Sequence, residues 1–214
     1  MTSKFRLRPI FAPLIKFLAK GFVKLRITPN IATLIMLFFS IISSLSLILL
    51  NNLLLFGVFI FITGIMDGID GAIARLSNKN SKFGAFFDSS MDRLSEGIIF
   101  LAIVWKSSEL FNNIPKLAIF FTWFCLVFSF LISYVRVKTE VVVSSEENKF
   151  DSNIGLFARS ERLFYLVILS ILSYFLGTSE LVFFSWGIMV FSILIFGTFL
   201  YRFDKYRQFL IKKK

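Results

Sequence analysis

The sequence predicts an all-α integral membrane protein: six transmembrane helices preceded by an N-terminal amphipathic helix lying in the membrane interface. Three observations carry this. Hydrophobic residues make up 57% of the 214 residues and charged residues only 17%, against about 45–50% and about 25% in soluble domains. The 30 phenylalanines exceed what one soluble core of this length could bury. Apolar stretches of about 20 residues, the length needed to cross a bilayer, recur along the chain.

The first element is expected over residues 9–27. Ile10, Phe11, Leu14, Phe17, Leu18 and Phe22 recur at helical spacing, and Lys16, Lys20 and Lys24 line another face. That pattern is an interfacial helix. A signal peptide would need a shorter apolar run and an A-x-A-like site, and neither is present. The spans are expected at 30–50, 53–75, 83–106, 117–137, 159–176 and 181–201. Asn51–Asn52 and Gly177–Glu180 read as tight turns. No repeat or linker divides the chain, so residues 1–214 are expected to form one domain. Six spans put both termini on one side. Of the 24 lysines and arginines, only Lys106 and Lys116 then fall at the other. The positive-inside rule makes the basic side cytoplasmic, which predicts a protein of the cell membrane with both termini in the cytoplasm.

The net charge of +11 fits cytoplasmic loops and anionic headgroups better than nucleic acid. The single cysteine, Cys125, lies in an apolar run and offers no disulfide framework. The absence of histidine removes His-based triads and HExxH zinc sites. Acid–base chemistry is left to Asp, Glu, Lys, Tyr or Cys.

Four aspartates break the apolar pattern where span two ends and span three begins, in "MDGIDGAIARLSNKNSKFGAFFDSSMDR". Asp67 and Asp70 are three apart, and Asp88 and Asp92 four apart, spacings that put each pair on one helix face. The loop joining the two helices is short, so the four carboxylates can converge. Each Asp costs about 2.5–3.5 kcal/mol at a bilayer centre, less near the interface. Adjacent carboxylates also repel one another. Hard divalent cations resolve both problems, and Mg²⁺ often shares its oxygen shell with substrate phosphates. Gly68, Gly71, Ala72 and Ala74 leave one face nearly bare, as do Gly84 and Ala85, so a backbone or flat ligand can approach closely. Arg75, one turn beyond Gly71, is placed to bind a phosphate. Convergent pairs at helical spacing fit neither solvated headgroup-level acids nor an EF-hand loop.

Written out, the segment is D-x-x-D-G-x-x-A-R, eight residues, then G-x-x-x-D-x-x-x-D. Asp67, Asp70, Gly71, Ala74, Arg75, Gly84, Asp88 and Asp92 fill every fixed position. The chain thereby resembles the CDP-alcohol phosphatidyltransferase family, in its six spans and amphipathic start as well. The resemblance implies transfer from a CDP-linked lipid, CDP-diacylglycerol or CDP-archaeol, to an alcohol with release of CMP. It implies that Asp67, Asp70, Asp88 and Asp92 hold two Mg²⁺ or Mn²⁺ ions that grip the diphosphate, that Asp92 is also the general base, and that the chain forms a homodimer. Displacement at a diphosphate suits a two-metal site on chemical grounds. The CDP-lipid would lie against Gly71, Ala74, Arg75, Ser81 and Gly84, with Thr28, Pro29 and Asn30 nearby. A Thr or Asn before an apolar run is also an ordinary helix cap.

"SYVRVKTE", "GLFARSERL" and "LYR" resemble the phosphatidylinositol-phosphate (archaetidylinositol-phosphate) synthase branch. The resemblance implies that Arg136, Arg159 and Arg202 hold the phosphate of inositol 1-phosphate. Arg136 stands where that branch often has Lys, and Ser160 where Pro is common. These arginines also fit a simpler role as positive-inside anchors. Other acceptors, glycerol 3-phosphate or serine, and CDP-inositol as donor, keep the same chemistry. A divalent-cation transporter would need polar groups at several depths, whereas the motif acids lie near one face.

Overall fold

The computed structural model describes residues 7–79, 81–110, 115–143, 157–177 and 180–211. Among these residues there are seven helices and no strand: α1 (Leu7–Lys24), α2 (Pro29–Leu50), α3 (Leu53–Leu76), α4 (Lys82–Leu110), α5 (Pro115–Val143), α6 (Arg159–Phe175) and α7 (Glu180–Ile211).

Local chemistry sets several of the boundaries. Thr28 caps α2, its hydroxyl accepting from the Ile31 N–H at 3.4 Å, and Pro29 opens the helix where no N–H is needed. Asn51 closes α2 in the left-handed region, with φ 51°. Asn52 then starts α3 by accepting from the Leu55 N–H at 2.9 Å. The two helices are thus joined by the tight Asn51–Asn52 link. At α6 the Glu161 carboxylate accepts from the Ala158 N–H at 2.6 Å.

Four stretches are long and apolar enough to cross a membrane: Pro29–Leu50, Leu53–Leu76, Ile119–Thr139 and Val182–Ile211. The chain is therefore a helical integral membrane protein. α4 carries Asp88, Asp92, Arg93 and Glu96, and α6 opens on Arg159, Glu161 and Arg162. Those charges dilute the hydropathy of both helices. α6 is also short, at 17 residues. α4, α5 and α7 run past the expected spans 83–106, 117–137 and 181–201. A helix can continue through polar residues such as Lys138 and Arg202, because its backbone hydrogen bonds are internal.

Packing closes α2 to α7 into a ring. α3 contacts α2, α2 contacts α4, α4 contacts α5, α5 contacts α7, α7 contacts α6, and α6 returns to α3. α1 lies outside the ring against α3, with Lys16, Lys20 and Lys24 exposed. Its Ile15 fills the space beside Gly68, where a Cβ would come within 2.6 Å of Ile15 Cδ1. The main core joins Phe56, Ile60, Ile99, Phe100, Leu166, Phe184 and Phe191. A second cluster, around Ala19, Ala32, Met36 and Ile69, fastens α1 and α2 to α3. Buried serines link helices through backbone carbonyls: Ser43 Oγ donates to Phe56 O at 2.9 Å and Ser44 Oγ to Ile98 O at 3.2 Å. In an apolar bilayer such hydrogen bonds and close packing replace the water-driven term. α3 and α6 come together at Gly57, where a Cβ would meet Ser170 Cβ at 3.0 Å and Val167 O at 3.3 Å.

Candidate metal centre and diphosphate cavity

α3 and α4 bring three carboxylates together. One oxygen from each of Asp67, Asp88 and Asp92 lies within 4.8 Å of the others. Helical spacing on α4 aligns Asp88 and Asp92, and Asp67 of α3 and Arg159 of α6 reach them across the ring. Asp70 falls outside this tightest group. Its Oδ2 accepts from Thr33 Oγ1 at 2.8 Å, its Oδ1 from the Gly71 N–H at 2.5 Å, and its side chain turns toward α2. Thr33 is buried and was not singled out in the sequence, since a threonine in an apolar run carries no charge signal.

The donor set suits a hard divalent cation. It consists of carboxylate oxygens alone, and it is half-buried, which disfavours leaving the negative charge uncompensated. Asp92 Oδ1 is buried and receives no hydrogen bond of proper geometry. What faces it is a charge: Arg159 Nη1 lies 2.5 Å away, and the same nitrogen lies 2.7 Å from Asp67 Oδ1. The guanidinium thus stands between two of the three clustered carboxylates.

Next to the acids is a cavity of about 220 Å³. It is lined by Pro29, Asn30, Thr33, Asp70, Gly71, Ala74, Arg75, Lys79, Ser81, Gly84, Ala85 and Asp88. Seven of the eight residues expected to contact the CDP-lipid are among them; Thr28 is the exception and serves as the α2 cap. Two glycines keep the cavity open. A Cβ on Gly71 would meet Arg75 Nη1 at 3.3 Å, so the guanidinium folds back over the bare backbone. A Cβ on Gly84 would meet Ser81 Oγ at 3.0 Å, the oxygen that accepts from the Gly84 N–H at 2.9 Å. Lys79 adds a second cation beside Arg75 and was not singled out in the sequence, although it lies in the loop between the two halves of the motif.

The three expected acceptor arginines sit differently. Arg159 faces the acids. Arg202 is buried at 7% exposure, within electrostatic reach of Arg162, Arg136 and Glu161, and its Nε makes no hydrogen bond among the described residues. Arg136 is exposed near the end of α5. One turn deeper than Asp92, sequence reasoning missed a buried network. Arg162 Nε and Nη2 donate to the two oxygens of Glu96 at 2.8 and 3.1 Å, and Ser129 Oγ donates to Glu96 Oε1 at 2.5 Å. Its signal was available: Glu96 follows Asp92 by four residues and Arg162 follows Arg159 by three.

A helical membrane protein with an oxygen-only acidic cluster beside a cationic cavity is the architecture of a divalent-metal enzyme acting on a phosphate-bearing substrate. Residues 26–199 match the CDP-alcohol phosphatidyltransferase family, and the chain belongs to it. An archaetidylinositol phosphate synthase of Pyrococcus horikoshii is 30% identical over 166 residues, covering 78% of this chain and 81% of that protein. A phosphatidylinositol phosphate synthase of Corynebacterium glutamicum is 34% identical over 145 residues, covering 68% of this chain and 63% of that protein. The crystal structure of Mycobacterium tuberculosis phosphatidylinositol phosphate synthase in complex with manganese and citrate superposes with a TM-score of 0.73 at 25% identity, over 90% of this chain and 88% of that one. The same enzyme with CDP-DAG bound gives 0.74 at 24% identity, over 91% and 94%, and speaks for the fold.

Proposed function

We propose that the protein transfers a phosphatidyl-type group from a CDP-linked lipid to inositol 1-phosphate, releasing CMP. The observation that carries this is the adjacency of three elements: the Asp67–Asp88–Asp92 cluster, the cavity bounded by Gly71, Arg75 and Gly84, and Arg159 on the cluster's other side. The names of the Pyrococcus and Corynebacterium relatives support the acceptor.

Asp67, Asp70, Asp88 and Asp92 would hold two divalent ions, Mg²⁺ or Mn²⁺, and the mycobacterial manganese complex supports divalent-metal use. Bound there, the ions would supply charge neutralisation on the diphosphate and an in-line template. Thr33 and the Gly71 N–H fix the Asp70 carboxylate in one rotamer. Arg75 and Lys79 offer donors to the diphosphate, and the bare Gly71 and Gly84 backbones let the nucleotide approach. Asp92 takes the proton of the acceptor hydroxyl. The hydroxyl oxygen bonds to the lipid-side phosphorus, the bond from that phosphorus to the bridging oxygen breaks, and CMP leaves with the electron pair. Arg159, with Arg136 and Arg202, receives the acceptor's phosphate. Charge-assisted hydrogen bonds of this kind favour a phosphorylated alcohol over a neutral one.

Topology completes the proposal. α2 to α7 make six spans of one domain covering the chain, with α1 in the interface. Both termini and the site face the cytoplasm, and the protein is a homodimer. The exposed Lys16, Lys20 and Lys24 on α1 support that sidedness. The test is a panel of labelled acceptors with CDP-lipid and Mg²⁺: inositol 1-phosphate should give product, and a preference for glycerol 3-phosphate or serine would replace the acceptor assignment.

A further inference from the structure

α4 and α6 face each other through two rungs of opposite charge. The upper rung is Asp92 against Arg159, at the site. The lower rung is Glu96 against Arg162, one turn deeper. The lower rung is the more constrained. Both of its side chains are almost fully buried, at 2% and 1% exposure. Arg162 reaches both oxygens of Glu96 with Nε and Nη2 and donates from Nη1 to Phe157 O at 3.3 Å. Ser129 of α5 donates to Glu96 Oε1. One planar guanidinium thereby ties α4 and the start of α6 together, and Phe157, the residue it holds, has a positive φ of 65°. A bidentate pair fixes orientation as well as distance.

We infer that the Glu96–Arg162 pair positions Arg159 for catalysis by tying the start of α6 to α4 across the ring. The inference rests on the proposed role of Arg159 at the acceptor phosphate. A slip of one residue along α6 would move Arg159 by about 1.5 Å and turn it by about 100°. A displacement of about 1 Å at a reacting group can cost on the order of 100-fold in rate. Stability alone gives little reason for the pair, because buried ion pairs are often replaceable by packed apolar residues of similar volume. What an apolar pair lacks is the directional lock. Glu96 and Arg162 are positioning residues; neither touches the carboxylate cluster.

The test compares wild type, Glu96→Asp, the apolar double variant Glu96→Leu/Arg162→Met, and Arg159→Gln, each purified in detergent. Thermal melting and the kinetics for both substrates are measured. Glu96→Asp keeps both charges and shortens one arm. Whatever its melting temperature, it should raise KM for inositol 1-phosphate or lower kcat by roughly 10- to 100-fold and leave KM for CDP-lipid unchanged. The double variant should show the same split at unchanged or higher melting temperature. Wild-type kinetics in Glu96→Asp overturn the inference. So does a parallel loss of melting temperature and of affinity for both substrates. If the double variant does not fold, Glu96→Asp decides alone. If Arg159→Gln leaves acceptor kinetics unchanged, the proposed acceptor site fails. If Arg159→Gln impairs them while the pair variants do not, only the positioning role fails. Should wild type prefer another phosphorylated alcohol, the same split is read with that one.

Discussion

Replacing Arg159 with glutamine should move two affinities in opposite directions. In the structure its Nη1 holds Asp67 Oδ1 at 2.7 Å and Asp92 Oδ1 at 2.5 Å, so a cation entering the cluster must displace a cation already there. A charge-assisted hydrogen bond contributes about 1.5–3 kcal/mol. Removing the competitor should therefore tighten Mn²⁺ binding to the lipid-free enzyme by roughly 10- to 100-fold. Removing the same guanidinium from the acceptor phosphate should raise KM for inositol 1-phosphate by roughly 10- to 100-fold, with KM for CDP-lipid little changed. Titration calorimetry with Mn²⁺ in detergent reads the first effect, and initial rates of CMP release at saturating metal read the second. Unchanged or weaker Mn²⁺ binding would show that Arg159 does not compete at the cluster. Unchanged acceptor KM would leave Arg159 as a topology anchor.

Chelation with EDTA should abolish CMP release, and added Mg²⁺ or Mn²⁺ should restore it; full activity in the chelator would exclude a metal role for the aspartates. Asp92→Asn should keep CDP-lipid binding, measured by equilibrium binding of labelled donor, while turnover falls below detection; near-normal turnover would remove Asp92 as the base. Gly57→Leu should lower stability by about 1–3 kcal/mol through overpacking, because the new side chain has Ser170 and the Val167 carbonyl in its path; a scan showing an unchanged melting temperature would argue against this α3–α6 approach.

The sequence carried the helices well because apolar runs and caps are local signals. Thr28–Pro29 and Asn51–Asn52 mark their boundaries where the structure has them. Hydropathy served less well for α4 and α6. Their charges answer one another across the ring, and Glu96 and Arg162 are 66 residues apart. Most of the cavity was legible because Asp70 to Asp88 lie within one motif and its loop, whereas Pro29, Asn30 and Thr33 join it from α2. Asp70's place beside Thr33, and Arg159's place between Asp67 and Asp92, were not. Both depend on which helices become neighbours, and spacing along one helix does not contain that. The separation of Asp70 from the tightest acidic group also refines the expectation of four convergent carboxylates: three meet directly, and the fourth faces the cavity they adjoin.

On the proposed function, the acidic cluster and Arg159 serve one transfer reaction, from a CDP-linked lipid to a phosphorylated alcohol. Its most direct measurement is CMP release by the purified protein in detergent, with CDP-diacylglycerol or CDP-archaeol and Mg²⁺, with and without inositol 1-phosphate. CMP release should require both the metal and the acceptor and be matched mole for mole by a lipid carrying the inositol phosphate. CMP release indifferent to the acceptor, or none with any phosphorylated alcohol, would contradict it.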